Sequence, residues 1–194
     1  MMTKVEVTLH SDDAADGSFA AKPKVFYRAG NGYCRIEEAA DPEKNVHSLM
    51  IINEPDYWIV NLVTKTAQHS VDPGPTFNCH LPIFADGTPQ SMDEETRAIR
   101  DLEFGRELEF FKGKGAVAEE GPVLFKNETT LYKVTVGTAV LSLFVAKSRE
   151  LPIAVSMRRG EKSDTFLYSL YSRTEFDPRL FAKPENVKVE ASKP

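Results

Sequence analysis

The sequence predicts an α+β fold: one large curved antiparallel β-sheet, a half-barrel, with a helical segment packed on its concave face. Three observations carry this. Strand-like runs fill both ends of the chain at short, regular spacing, separated by turn residues. One charged, helix-favouring stretch interrupts them. No βαβ alternation and no repeat of fixed period occurs, which argues against a parallel sheet and a solenoid. A length of 194 residues fits a single domain spanning 1–194.

The elements follow in order. "KVEVTLH" alternates Val5, Val7 and Leu9 against Glu6, Thr8 and His10, the period of a half-buried strand. "KVFYRAGNGYCRIEE" (24–38) reads as a hairpin, because Ala29-Gly30-Asn31-Gly32 supplies residues that tolerate positive φ between two alternating runs. Residues 46–72 give a strand, a turn at Glu54-Pro55-Asp56, the strand bearing Trp58, and a third run from about Lys65 to Val71. The Trp58 strand is apolar on both faces: Tyr57 and Ile59 point one way, Trp58 and Val60 the other. A strand with one wet face alternates more cleanly, so both faces are expected to be covered, or one lines something apolar that is not protein.

Pro73, Pro75, Pro82 and Pro89 mark 73–90 as an irregular crossing segment. Ser91-Met92-Asp93-Glu94 fits a capping box and opens a helical stretch to about Lys112. Met92, Ile99 and Leu102 share one face and Phe104, Leu108 and Phe111 another, with Gly105 near the change. Either one kinked helix or two short ones results, and the segment is expected to act as a movable lid bending at Gly105. "PVLFK", "TTLYKVTVG", "AVLSLFVAK", "LPIAVSMRR" and "DTFLYSLYS" then read as an antiparallel meander.

Composition narrows the function. A net charge of -5 argues against a duplex nucleic-acid binder, which needs a clustered basic face. Lys112-Gly113-Lys114 reads as a solvated helix end, where cations are favoured. No apolar run approaches the ~20 residues of a membrane span. Met1-Met2-Thr3 leads straight into a strand, as expected of a chain whose leader or anchor has been removed. His10, His47, His69 and His80 lack metal-ligand spacing, and no phosphate-loop, dinucleotide or nucleophile-elbow motif occurs, so neither a metal site nor a cofactor is expected. Glu37-Glu38 and Glu119-Glu120 read as solvated edges, since successive strand residues face opposite ways. Cys34 and Cys79 keep two readings, small core residues of a cytosolic protein or a disulfide of an exported one.

With strand order and helical insert in place, the chain resembles the periplasmic lipoprotein-carrier superfamily, the LolA/LolB-like half-barrels. "VFYRAGNGYCRIEE" is similar to that family's second and third strands, and "MIINEPDYWIVNLVTKTAQH" to its Trp- or Tyr-bearing strand with flanking turns. "LPIAVSMRRG" and "FDPRLFAKPENVKVE" resemble a later strand and the closing segment. The resemblance implies a non-enzymatic protein of the periplasm or cell envelope. It would bind lipid, an acyl chain or a lipoprotein in an apolar half-barrel cavity. It also implies that an arginine of the second strand ties to the lid's backbone, and Arg28 is the match. The ligand-binding residues expected are Phe26, Arg28, Trp58, Val60, Phe104, Phe111 and Leu143. The competing expectation is a filled half-barrel that serves as an interaction or sensor module for an envelope protein partner.

Overall fold

The computed structural model describes residues 1–12, 21–72, 79–84 and 94–190. Twelve strands form one sheet: β1 (Met2–Ser11), β2 (Lys24–Ala29), β3 (Tyr33–Glu38), β4 (Ser48–Asn53), β5 (Asp56–Asn61), β6 (Thr66–Val71), β7 (Ala118–Glu120), β8 (Thr129–Val136), β9 (Ala139–Ala146), β10 (Leu151–Arg159), β11 (Lys162–Thr174) and β12 (Lys188–Glu190). Their order is β12-β6-β5-β4-β3-β2-β1-β11-β10-β9-β8-β7. Two short helices, α1 (Glu94–Ile99) and α2 (Glu107–Gly113), complete the described elements with a 3-10 turn at Pro178–Phe181. The fold class is the one expected: α+β, a large, curved, mostly antiparallel sheet that does not close. The parallel pairing of β12 with β6 is an exception to the antiparallel ladders.

The chain divides into two compact units, and β1 and β11 pass through both. In the first unit (1–6, 22–79 and 172–194), the β2–β3 hairpin turns as expected, with Gly30 at φ +57°. Leu49, Ile51, Val60 and Ala67 form a core with Phe181 and Val187, and Trp58, Leu62 and Leu180 pack against it. The C-terminal segment therefore covers one face of β3–β6. Arg35 fastens it by donating from Nη1 to the Leu180 carbonyl at 3.0 Å.

In the second unit (7–21 and 80–171), Leu143 pairs with Val155, Leu141 with Met157, and Val155 with Phe166. Cross-strand partners share a face. α1 packs on β8, and α2 on β8 and β9. Phe111, Leu102, Leu141 and Leu143 are wholly buried in this unit.

Two expectations are corrected here, and one left open is resolved. "PVLFK" is no strand: Leu124 and Asn127 exchange backbone hydrogen bonds (3.0 and 2.8 Å) around Phe125 and Lys126, both at positive φ. That is a two-residue hairpin turn, and the edge strand β7 precedes it. Of the two arrangements left open for the helical stretch, the structure has the two short helices, with Gly105 between them at φ +84°. Glycine is there because other residues rarely adopt that conformation, so a Gly105→Ala change would strain the backbone whether or not a lid moves. Finally, Glu38 is no solvated edge residue but is buried, 4.0 Å from the Lys24 amine. Burial pushes the Glu38 carboxyl above, and the Lys24 amine below, their ordinary pKa values.

Packing is close where β7 meets β8. A methyl group on Gly121 would collide with Thr129 Oγ1 and crowd the Thr129 carbonyl at 3.1 Å and Leu131 Cβ at 3.3 Å. Thr129 cannot retreat, being wholly buried and donating to the Pro122 carbonyl at 2.6 Å. Gly121→Ala is expected to cost about 1–3 kcal/mol, read from chemical denaturation. An unchanged midpoint would show that the hairpin yields there.

Candidate functional site

The two faces of the first unit's sheet differ in kind. Strand register gives one face two apolar rows, Phe26–Ile36–Met50–Ile59 and Arg28–Cys34–Ile52–Tyr57. The opposite face carries Tyr27–Arg35–Ile51–Trp58–His69 and Glu37–Leu49–Val60–Ala67. This second face is the one filled by the C-terminal segment. On the first, Phe26, Cys34 and Ile52 are buried, Ile36, Met50 and Tyr57 are half-buried, and Ile59 is 43% exposed. The Tyr57 hydroxyl donates to Met50 Sδ at 3.0 Å, which turns its polar end back along the sheet. Burial raises the Tyr57 pKa, so the phenol stays neutral over the physiological range.

One end of this face is tied down. Cys34 forms a disulfide with Cys79, so the two are not free core thiols. The Cys79 amide donates to the Asn31 carbonyl at 2.8 Å, and Arg28 Nη2 donates to the Cys79 carbonyl at 3.0 Å. Arg28 also donates from Nε to the Gly30 carbonyl at 3.1 Å. Arg28 thus holds backbone of the crossing segment at residue 79. The rest of that segment, 73–78 and 85–90, lies outside the described residues, as does most of the capping box at 91–93.

The residues expected to bind ligand are therefore divided. Phe26 and Arg28 lie on the half-exposed face of the first unit, and Trp58 and Val60 on the filled face behind it. The Trp58 indole stacks on the His69 ring at 3.8 Å, and His69 Nε2 lies 2.6 Å from Asp56 Oδ1. Phe104, Phe111 and Leu143 belong to the second unit's interior, where Phe104 packs edge-on against Phe166 and Tyr168. Ile36, Met50, Ile52, Tyr57 and Ile59 share the face of Phe26 and Arg28, and their alternation is visible in each strand.

The second unit holds two further features. A cleft of about 230 Å³ is lined by Leu108, Lys112, Thr130, Tyr132, Val145 and Lys147, so α2 lies over the β8–β9 face that bears Val145. At the start of α2, Glu107 is wholly buried. Its Oε1 accepts from the Tyr168 hydroxyl (2.9 Å) and the Gly105 amide (3.0 Å), and its Oε2 accepts from the Tyr171 hydroxyl (2.8 Å). Burial pushes the Glu107 carboxyl up, and burial beside Glu107 pushes the Tyr168 hydroxyl well up. Among the described residues no group of three or more His, Cys, Asp or Glu side chains is arranged to hold a metal, and no helix is long and apolar enough to cross a membrane.

No protein-family model and no curated protein matches this chain. Solved structures do. An uncharacterized conserved protein from Thermus thermophilus matches over 98% of this chain and 90% of its own, at 11% identity and a TM-score of 0.54. A LolA superfamily protein from Nitrosomonas europaea matches over 94% and 89%, at 10% identity and a TM-score of 0.38. The Mycobacterium tuberculosis lipoprotein LppX matches over 89% and 88%, at 8% identity and a TM-score of 0.43. At such identities the likeness is one of fold.

Proposed function

We propose that this protein is a non-enzymatic binder of lipid or acyl chains, working in the periplasm or cell envelope. The single observation that supports it is the half-exposed apolar face of the first unit, with Ile36, Met50, Tyr57 and Ile59 beside buried Phe26 and Ile52. A hydrocarbon chain laid along these rows would remove apolar surface from water, a gain of roughly 25 cal/mol per Å². Arg28 serves as a positioning residue, fixing residue 79 at the end of the rows. The Cys34–Cys79 bond supports an oxidising compartment, since such bonds persist outside the reducing cytosol. In this reading Trp58 and Val60 are support behind the face and do not touch ligand.

Titration with palmitate and with lysophosphatidylcholine, followed by calorimetry, should give saturable binding at micromolar concentration or tighter. Met50→Glu places a charge against the chain and should weaken binding by about tenfold or more, because a carboxylate resists transfer to an apolar contact. Trp58→Phe, on the other face, should bind as the parent does. Loss of affinity in Trp58→Phe with none in Met50→Glu would move the site off this face. No saturable binding of either probe would defeat the lipid reading itself.

A further inference from the structure

We infer that Met50 is a site of reversible oxidation, where hydrogen peroxide converts the thioether to one configuration of sulfoxide and so closes the apolar face to its ligand. The modification stands on chemistry of its own, while the loss of binding rests on the lipid-binding reading.

Chemistry and exposure single out this sulfur. The chain has two cysteines, and both are in the Cys34–Cys79 bond, so no thiol competes for a peroxide. Methionine is then the side chain most readily oxidised in a reversible way. Of the described methionines, Met2 and Met157 are buried at 7% and 4% exposure. Met1 is exposed but belongs to neither apolar row. Met50 is half-buried in the middle of its row, paired with Ile36 on β3 and Ile59 on β5. It alone among the described methionines both meets solvent and lies on the half-exposed face.

Tyr57 makes this more than a half-exposed sulfur. Its hydroxyl donates to Met50 Sδ at 3.0 Å, and burial keeps the phenol in its neutral, donating form. A thioether sulfur carries a pair of lone pairs, and each leads to a different sulfoxide epimer. The hydrogen bond covers one of them and leaves the other to the oxidant. That free lone pair attacks a peroxide oxygen, and the S–O bond forms as the O–O bond breaks. The departing hydroxide takes the proton left on the transferred oxygen and leaves as water. Sulfur is oxidised and the peroxide is reduced, with no further reactant.

The product is a polar, chiral group where an apolar one stood. Its oxygen points away from the Tyr57 hydroxyl, and the other side chains of the row, Phe26, Ile36 and Ile59, have no hydrogen-bond donor to give it. A hydrocarbon chain laid over Met50 would strip water from the sulfoxide without replacing its hydrogen bonds, which costs affinity. Reduction back to the thioether restores the face.

The test treats the folded protein with hydrogen peroxide and maps the added oxygen by peptide mass. Met50 should gain one oxygen at least about tenfold faster than Met2 and Met157. Palmitate affinity of the parent should then fall by about tenfold or more. Met50→Leu, whatever its starting affinity, should bind palmitate alike before and after peroxide. The two classes of methionine sulfoxide reductase each act on one epimer, so one class should restore the mass and affinity of the parent and the other should not. Tyr57→Phe removes the donor and should give both epimers, each class repairing a part. Oxidation of Met50 no faster than of the buried methionines overturns the proposal, and so does unchanged palmitate affinity in the fully oxidised parent. Equal repair of the parent by both classes overturns the role given to Tyr57. An untreated parent that binds neither palmitate nor lysophosphatidylcholine would strike the lipid-binding reading instead, and the oxygen count and repair at Met50 would still decide the modification.

Discussion

Replacing Cys34 and Cys79 together by alanine lowers the unfolding free energy by about 4 kcal/mol. The bond joins residues 45 apart in sequence. A crosslink spanning a loop of that size removes chain entropy from the unfolded state worth about 4 kcal/mol, between the values for much shorter and much longer loops. Both cysteines are buried, so the bond leaves no exposed sulfur for a reductant to reach while the protein is folded. With a urea m-value of roughly 2 kcal/mol/M, the midpoint should fall by roughly 2 M. The same fall should appear in the parent protein unfolded with dithiothreitol present, and not in the double variant. Two free thiols in non-reduced, denatured protein from an oxidising compartment would rule the bond out. The functional consequence lies at residue 79. Without the bond, that end of the half-exposed face loses a covalent tie that the Asn31 carbonyl and Arg28 do not replace, and affinity for an acyl chain should weaken along with stability.

The strands were legible in the sequence because alternation and turn chemistry agreed. Gly30 fixed the β2–β3 turn, and proline-free alternating runs located β8, β9 and β11. "PVLFK" misled because its apolar content looked like a strand, while the decisive property was backbone: Phe125 and Lys126 at positive φ make a turn that neither residue type advertises. The faces were hard to read for a different reason. Each residue's parity along its own strand was correct, but which residues share a face depends on the register between strands. Phe26 pairs with Ile36, Ile36 with Met50 and Met50 with Ile59, which leaves Trp58 and Val60 behind. A one-residue error in any connecting turn reverses that result. Phe181 and Leu180, which fill the Trp58 face, come from more than a hundred residues further along, beyond the reach of any local pattern.

Glu107 was also invisible, as one of two acids in "FGRELEFF", yet it produces the second large effect. Glu107→Ala should destabilise the protein by about 3–5 kcal/mol, because it removes the buried acceptor of the Tyr168 and Tyr171 hydroxyls and the Gly105 amide and empties the space the carboxyl fills. Glu107→Gln keeps the shape and a hydrogen-bonding group at each position, with the Tyr171 hydroxyl turning to accept from the amide, and should fold. What Gln removes is titration. Burial raises the folded-state pKa of Glu107 above its ordinary value of 4.5. Below that value both states are protonated and the stability is fully present. As pH rises from there to the raised folded value, the unfolded chain has lost a proton that the folded protein keeps, so stability falls. Above the folded value the loss is complete and the slope vanishes. Glu38, raised in the same direction by burial, adds its own decline, so the comparison must be between Glu107→Gln and the parent. Urea unfolding from pH 4 to pH 8 should show the parent losing more stability with rising pH than Glu107→Gln, by about 1.4 kcal/mol for each pH unit across which Glu107 keeps its proton in the folded state alone. Parallel curves for the two proteins would mean that Glu107 ionises in the folded protein as it does in the unfolded one, its charge carried by Tyr168, Tyr171 and the Gly105 amide.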